Sequence, residues 1–231
     1  MVEPQEIERA QNQLLARLAE QEAAGERVAG WKLGMTSGPN RDAFGAGVRP
    51  FGYLLSSRLQ RSGATLWWDE TVGTGSIENE LCFQLSQDVT QPVDAASIRP
   101  LIAGVAPGFE INQVRLDPGA TPTERIADNL SNFGLVVGGL QQIGDAWDQA
   151  ALKVSQLHNA DGVGSVTAAG HIDDHFESLA TLANQLLRFD RVLQAGQWVI
   201  TGAFVRAEQP RTGLWSGDFG ELGRVHLRVE R

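Results

Sequence analysis

The segment Gly75-Ser-Ile-Glu-Asn-Glu-Leu-Cys-Phe places two glutamates, Glu78 and Glu80, at alternate positions just before the chain turns apolar at Leu81, Cys82 and Phe83. On a strand such residues project from one face, with Cα atoms roughly 7 Å apart. Two like charges at the boundary of a core are costly unless something positive lies between them. A hard divalent cation, which takes oxygen ligands, would remove that cost. An edge strand carrying two solvated glutamates is the alternative. A third carboxylate, Glu110, stands between Phe109 and Ile111, again where a strand should be buried. Three acids so placed can complete one face of an octahedral Mg²⁺ or Mn²⁺ site and leave the rest for water and substrate. Each could equally pair with an arginine.

Lysine occurs only twice among the 19 basic residues, as Lys32 and Lys153. Lys32 lies between Trp31 and Leu33, and an ammonium in an apolar wall suits a proton donor or acceptor to an enolate. A lysine that snorkels its charge into water fits the same sequence. His171-Ile-Asp-Asp-His175 has an i, i+4 histidine pair able to hold zinc on a helix, yet it lacks the glutamate of an HExxH motif. A helix start capped by Asp173 or Asp174 is the simpler reading. Cys82 has no histidine near it in sequence and reads as a small core residue. Gly73-Thr-Gly75 and Gly162-Val-Gly164 lack the third glycine and the setting of a dinucleotide loop, and read as turns.

Elements must hold these groups in place. Ile7, Ala10, Leu14, Leu15 and Leu18 follow helical spacing, with Pro4 at the start and Gly25 as a stop. Between Ala29 and Gly75, short apolar runs broken by glycine and proline predict strands and tight loops rather than helix. Further strands are predicted near 78–85, 109–115, 134–139, 197–203 and 225–230. Two helices are predicted, around Asp94–Val105, where Pro100 must fall in the first turn or break it, and around Asp174–Leu187. Strands that do not alternate regularly with helices argue against a doubly wound sheet and for an α+β or β-roll architecture.

Bulk properties narrow the partners. The chain has 231 residues, 42% hydrophobic, enough for a sizeable core, and a net charge of −9 that would repel a phosphate backbone, so nucleic acid is a poor partner. A single cysteine rules out an internal disulfide and any CxxC knuckle, which suits a reducing cytoplasm. The opening MVEPQEIERA is acidic and polar, unlike a signal peptide, and no run of 18 apolar residues suggests a membrane span. The expectation is a soluble cytoplasmic protein with no membrane partner.

Six segments occur in a recognisable order: Trp-Lys-Leu-Gly-Met-Thr (31–36), Phe-Gly-Tyr-Leu (51–54), Ile-Glu-Asn-Glu-Leu (77–81), Pro-Gly-Phe-Glu-Ile (107–111), Ala-Asp-Asn (127–129) and Ala-Gly-Gln-Trp-Val-Ile-Thr-Gly-Ala (195–203). Together they resemble the fumarylacetoacetate hydrolase superfamily, in its branch of 2-oxopent-4-enoate hydratases and 4-oxalocrotonate decarboxylases. The resemblance implies a mixed β-roll core with an N-terminal helical segment, divided as 1–70 (helix and cap) and 71–231 (catalytic β-roll). It implies Mg²⁺ or Mn²⁺ on Glu78, Glu80 and Glu110, and a 2-oxo acid substrate chelated through its carboxylate and 2-oxo oxygens. Lys32, Asp128 and Thr201 match catalytic positions of the family, and Phe51, Asn129 and Gly202 match substrate contacts. Homo-oligomeric assembly is implied, with a complex with another enzyme of aromatic catabolism as a further possibility.

The chain also departs from that pattern. Before the second strand the family reads Pro-Asp-Phe-Gly or similar, its aspartate being a candidate acid/base, whereas this chain reads Arg49-Pro50-Phe51-Gly52. The segment His171 to Glu177 replaces a usual glycine and proline stretch, and the tail after Ala203 is also unlike the family's. His171, Asp173 or Asp174 could stand in for the missing proton carrier. Hydration of a 2-hydroxydienoate such as 2-hydroxypenta-2,4-dienoate is the first expectation. Decarboxylation of a 2-oxo-3-enedioate is the second, and a non-catalytic scaffold the third.

Overall fold

The computed structural model describes residues 2–70, 72–144 and 146–231. Helix α1 (Pro4–Ala23) begins with proline in its first turn and with Glu6 accepting from the Glu3 backbone N–H at 3.2 Å. It is longer at both ends than the apolar spacing alone predicts, and buries Ala10, Leu14 and Leu18 on the expected face. Gly25, at φ 99°, follows its end.

The chain then supplies β1 (Val28–Leu33), β2 (Phe51–Leu55), β3 (Leu59–Arg61), β4 (Ala64–Trp67) and β5 (Gly75–Leu85). After the one-turn α2 (Ala95–Ile98) come β6 (Ile102–Gln113), α3 (Pro122–Ala127) and β7 (Asn132–Val137). The hairpin of β8 (Lys153–His158) and β9 (Asp161–Thr167), then α4 (His175–Arg188), precede β10 (Trp198–Glu208), β11 (Gly213–Asp218) and β12 (Arg224–Glu230). Seven strands form one sheet in the order β2-β1-β10-β5-β6-β7-β3, and five form the other in the order β4-β12-β11-β8-β9. Three pairings are parallel (β1 with β10, β3 with β7, β4 with β12) and the rest antiparallel. This is the α+β fold with a mixed β-roll core.

β5 lies at the middle of the larger sheet and is buried along almost its whole length. Ile77, Leu81 and Phe83 join one apolar core with Trp215, Phe219, Val225 and Leu227 of the smaller sheet and Leu179, Leu182 and Leu186 of α4. Glu78 and Glu80 point the other way, because neighbouring residues of a strand face opposite sides. Among the described residues no helix is long and apolar enough to cross a membrane.

Four expectations change. The helix predicted over Asp94–Val105 ends after Leu101, and Ile102 to Val105 begin β6; a strand covered on both faces reads as an unbroken apolar run, which periodicity does not separate from a buried helix. Gly162 and Gly164 lie in β9 and not in a turn, and a Cβ on Gly164 would stand 3.0 Å from Val205, so that glycine serves a close approach of strands. The last long strand runs to Glu208 and not to Ala203. The boundary expected at residue 70 does not separate two units, since β1, β2 and β3 lie in the larger sheet and β4 in the smaller one.

Candidate active site

The register of β5 and β6 sets Glu110 directly across from Glu78, so the third acid joins the two that alternate along β5. One carboxylate oxygen from each of the three lies within 4.8 Å of the others, and all three side chains are buried. Two cations meet them. Lys32, arriving from β1, pairs with Glu110 Oε1, and Arg206, opposite Glu78 in the register of β10, pairs with Glu78 Oε1. Asn132 Nδ2 also donates to Glu110 Oε1 at 2.7 Å. Among the described residues no cation pairs with Glu80, and it accepts only the N–H of Gly202, at 2.9 Å. Burial first, then the charges of Glu110 and Glu78, push the Glu80 carboxyl well above the usual carboxylate range, and burial and Glu110 push Glu78 upward. Three buried carboxylates facing one point with only two cations among them are a donor set that fits a hard divalent ion.

Two backbone features make room for this arrangement. Gly202 has φ 152°, and a Cβ there would stand 2.8 Å from Ile172 Cγ2 and 2.9 Å from Thr36 Oγ1. Only glycine lets this turn of the strand aim its N–H at Glu80. Asn129, Leu130 and Ser131 are consecutive left-handed residues at φ 59°, 50° and 63°. Such a run costs energy at each residue and persists where its surroundings impose it. Here Asn129 clamps Tyr53, accepting from its N–H at 2.8 Å and donating to its carbonyl at 3.0 Å, and the Leu130 carbonyl reaches Lys32 Nζ at 3.5 Å.

The acids, Lys32, Gly202 and Arg206 line a cavity of about 240 Å³, together with Thr36, Asn112 and His171. Other residues expected at the site lie elsewhere. Phe51 is fully buried between Trp31 and Phe189, with ring centroids at 5.9 and 5.4 Å, and belongs to the core. Asn129 has both ends of its amide on Tyr53 and supports the site from behind. Asp128 faces away, ion-paired with Arg115 at 2.9 Å in a separate cleft beside α1. Thr201 is buried behind the cavity, where its Oγ1 meets His175 Nδ1 at 2.7 Å. Of the three candidate proton carriers, Asp173 is held by Arg41 and Arg49 and Asp174 caps α4, so His171 alone faces the cavity. Burial lowers the His175 imidazole to about 4, and its Nδ1 is turned onto Thr201 while His171 faces the cavity, so the two histidines expected as a zinc pair look to different places.

Arg206, Asn132 and Asn112 were not legible as site residues. Arg206 meets Glu78 only through a pairing of strands far apart in sequence, and the register of β10 shifts on both sides of Ala203.

No family model matches the chain. It is 30% identical over 203 residues to a 2-hydroxyhexa-2,4-dienoate hydratase of Comamonas testosteroni, covering 85% of this chain and 76% of that one. The chain belongs to the fumarylacetoacetate hydrolase superfamily, in its hydratase and decarboxylase branch. A second superfamily relative, the 2-oxo-hept-4-ene-1,7-dioate hydratase of Escherichia coli, is 26% identical over 215 residues, covering 89% of this chain and 80% of the relative. The fold of the superfamily is also seen in the 4-oxalocrotonate decarboxylase of Pseudomonas putida G7, solved with magnesium and adipate. It matches with a TM-score of 0.88 at 21% identity, over 97% of this chain and 86% of that one.

Proposed function

We propose that the protein is a metal-dependent hydratase, a carbon-oxygen lyase that adds water to a 2-hydroxydienoate or its 2-oxoenoate tautomer, 2-hydroxypenta-2,4-dienoate being the simplest. The observation that carries this reading is the buried triad of Glu78, Glu80 and Glu110 on the floor of a cavity that also holds Lys32. The names of the similar hydratases support it. Mg²⁺ or Mn²⁺ held by the three glutamates would supply Lewis-acid polarisation of the substrate's 2-oxo and carboxylate oxygens.

The chain's own residues do the rest. The Gly202 N–H fixes the orientation of Glu80, and Asn132 and Lys32 fix Glu110. Hydration requires a proton to leave the 2-hydroxyl and arrive at C5, and then water to add at C4 with a proton to C3, so two proton movements need a carrier on the cavity wall. Lys32 Nζ is one such group and also a counter-charge for the substrate carboxylate. His171, in the segment that departs from the family, is the second, replacing the aspartate that Pro50 lacks. Arg49, beside that position, is taken up by Asp42 at 2.6 Å and Asp173 at 2.7 Å. A homo-oligomer in the cytoplasm is part of this reading, and light scattering after size exclusion checks the assembly.

The test is thermal shift with Mn²⁺, with oxalate, and with both, since oxalate imitates the two chelating oxygens of a 2-oxo acid and ligands of the folded state raise the melting temperature. An oxalate shift that appears only with Mn²⁺ supports the site. Product analysis then separates the chemistry: a 4-hydroxy-2-oxo acid is expected, and CO₂ release without it would replace hydration by decarboxylation. No shift with either ligand would bring the scaffold reading forward.

A further inference from the structure

Strand β10 loses its regular pairing where it passes the triad. From Ile200 to Ala203 it advances three residues while β5, beside it, moves two, from Cys82 to Glu80. Thr201 and Gly202 therefore share the place across from Leu81, a bulge of one extra residue. On the other side the pairing with β1 stops at Ile200. Neither neighbouring strand sets the bulge in register, yet its setting matters, because the Gly202 N–H is the group that meets Glu80 Oε2 at 2.9 Å.

The side chain of Thr201 supplies a hold that the ladders do not. Thr201 is fully buried, and its Oγ1 meets His175 Nδ1 at 2.7 Å. His175 is itself firmly placed. It opens α4 behind the Asp174 cap, its backbone N–H donates to Gln149 Oε1 at 2.8 Å, and its ring packs on Phe83 and Phe204 with centroids at 5.5 and 6.0 Å. His175 Nε2 is buried without a hydrogen-bond partner, so Thr201 is the polar group to which this ring is committed. An imidazole buried on a single hydrogen bond costs stability, and packing alone would be served better by an apolar ring. What the nitrogen adds is a directional bond in a low-dielectric core, the kind of restraint that a bulge without ladder support requires.

We propose that His175 is a positioning residue of the metal site: its hydrogen bond to Thr201 fixes the β10 bulge so that the Gly202 N–H points at Glu80. The consequence for metal binding rests on the proposed triad site.

Two readouts on the full chain separate positioning from packing. One is Mn²⁺ affinity by calorimetry, and the other is hydrogen exchange of the Gly202 amide in the metal-free protein. Thr201→Val removes the hydroxyl at nearly constant shape, and His175→Phe keeps a ring without the nitrogen. Each is expected to bind Mn²⁺ about tenfold or more weakly, the range for loss of a group that orients a metal ligand. Each should also speed exchange of the Gly202 amide, because the bulge opens more readily. His175→Asn puts an amide group where Nδ1 stands but leaves a void, so it should melt at a lower temperature than the wild type and still keep its Mn²⁺ affinity within a few-fold. A merely structural residue would instead give an affinity that follows the melting temperature across the three variants. That pattern, or wild-type Mn²⁺ affinity in both Thr201→Val and His175→Phe, would overturn the proposal. If the wild type binds no Mn²⁺, the triad reading falls by itself, and unchanged Gly202 exchange in the same two variants would then show that His175 does not hold the bulge.

Discussion

The Gly202 N–H donates to Glu80 Oε2 at 2.9 Å, the only hydrogen bond this buried carboxylate accepts among the described residues. The left-handed backbone of Gly202 and the orientation of a metal-facing carboxylate are therefore one feature. Gly202→Ala puts a methyl group 2.8 Å from Ile172 Cγ2 and 2.9 Å from Thr36 Oγ1, which forces the strand to move. The expected outcome is a stability loss of about 1–3 kcal/mol. Mn²⁺ affinity should fall about 10–100-fold, as is usual when a group that orients a ligand is lost. A melt and a Mn²⁺ titration check both, and undiminished affinity would show that this N–H does not position Glu80.

Metal binding should also release protons. Because burial and two like charges raise the Glu80 carboxyl, the metal-free native state keeps a proton that the unfolded chain gives up near 4.5. Metal-free stability from this group therefore falls as pH rises above that value, and Mn²⁺ affinity rises with pH over the same range. Calorimetry in two buffers of different ionisation enthalpy should detect the released proton. Glu80→Gln should reduce that release and weaken Mn²⁺ binding while the fold survives.

Much of this site could be read from one strand. Glu78 and Glu80 share a face because strands alternate, and the apolar residues after them mark the strand as central. Glu110 could be placed in a buried strand by its neighbours, but its position across from Glu78 depends on a register that only the packed sheet reveals. Arg206 is harder still, since it reaches Glu78 through strand pairing across most of the chain and past two shifts of register. Asp128 and Phe51 were expected from matching motifs. A motif records which residues recur, whereas the side to which each one points is decided by the pleat and the packing, and there Arg115 and Phe189 claim them.

His171 gives the sharpest test of how the missing aspartate is replaced. His171→Gln keeps the shape of the cavity wall but cannot carry a proton at neutral pH. Turnover is expected to fall by about 10²–10⁴, the range for loss of a general acid or base. The Mn²⁺-dependent oxalate shift should remain, and wild-type turnover would remove His171 from the reaction.

Lys32 separates binding from chemistry in another way. Lys32→Met takes a cation away from Glu110 and leaves all three carboxylates in place. Mn²⁺ affinity should be retained or tightened, because a competing positive charge is gone. Turnover should fall by about 10² or more. Retained turnover would limit Lys32 to supporting Glu110.

His175 predicts a pH effect opposite to that of Glu80. Its Nδ1 is 2.7 Å from Thr201 Oγ1, its ring lies 5.5 Å from Phe83 and 6.0 Å from Phe204, and burial holds it neutral down to about 4. The unfolded chain takes up this proton near 6.5. Between those values the unfolded state binds more protons, so stability from this group is complete above 6.5 and is lost as pH falls toward 4. The loss amounts to on the order of 3 kcal/mol at about 1.4 kcal/mol per pH unit. Because Glu80 acts in the other direction above 4.5, the wild-type curve alone conceals the effect. The informative quantity is the difference between wild type and His175→Gln, which keeps a polar partner for Thr201 but does not titrate. That difference should shrink steadily from pH 6.5 to 4 as the wild type loses its advantage, and a difference constant with pH would mean that the imidazole is not the group withholding the proton.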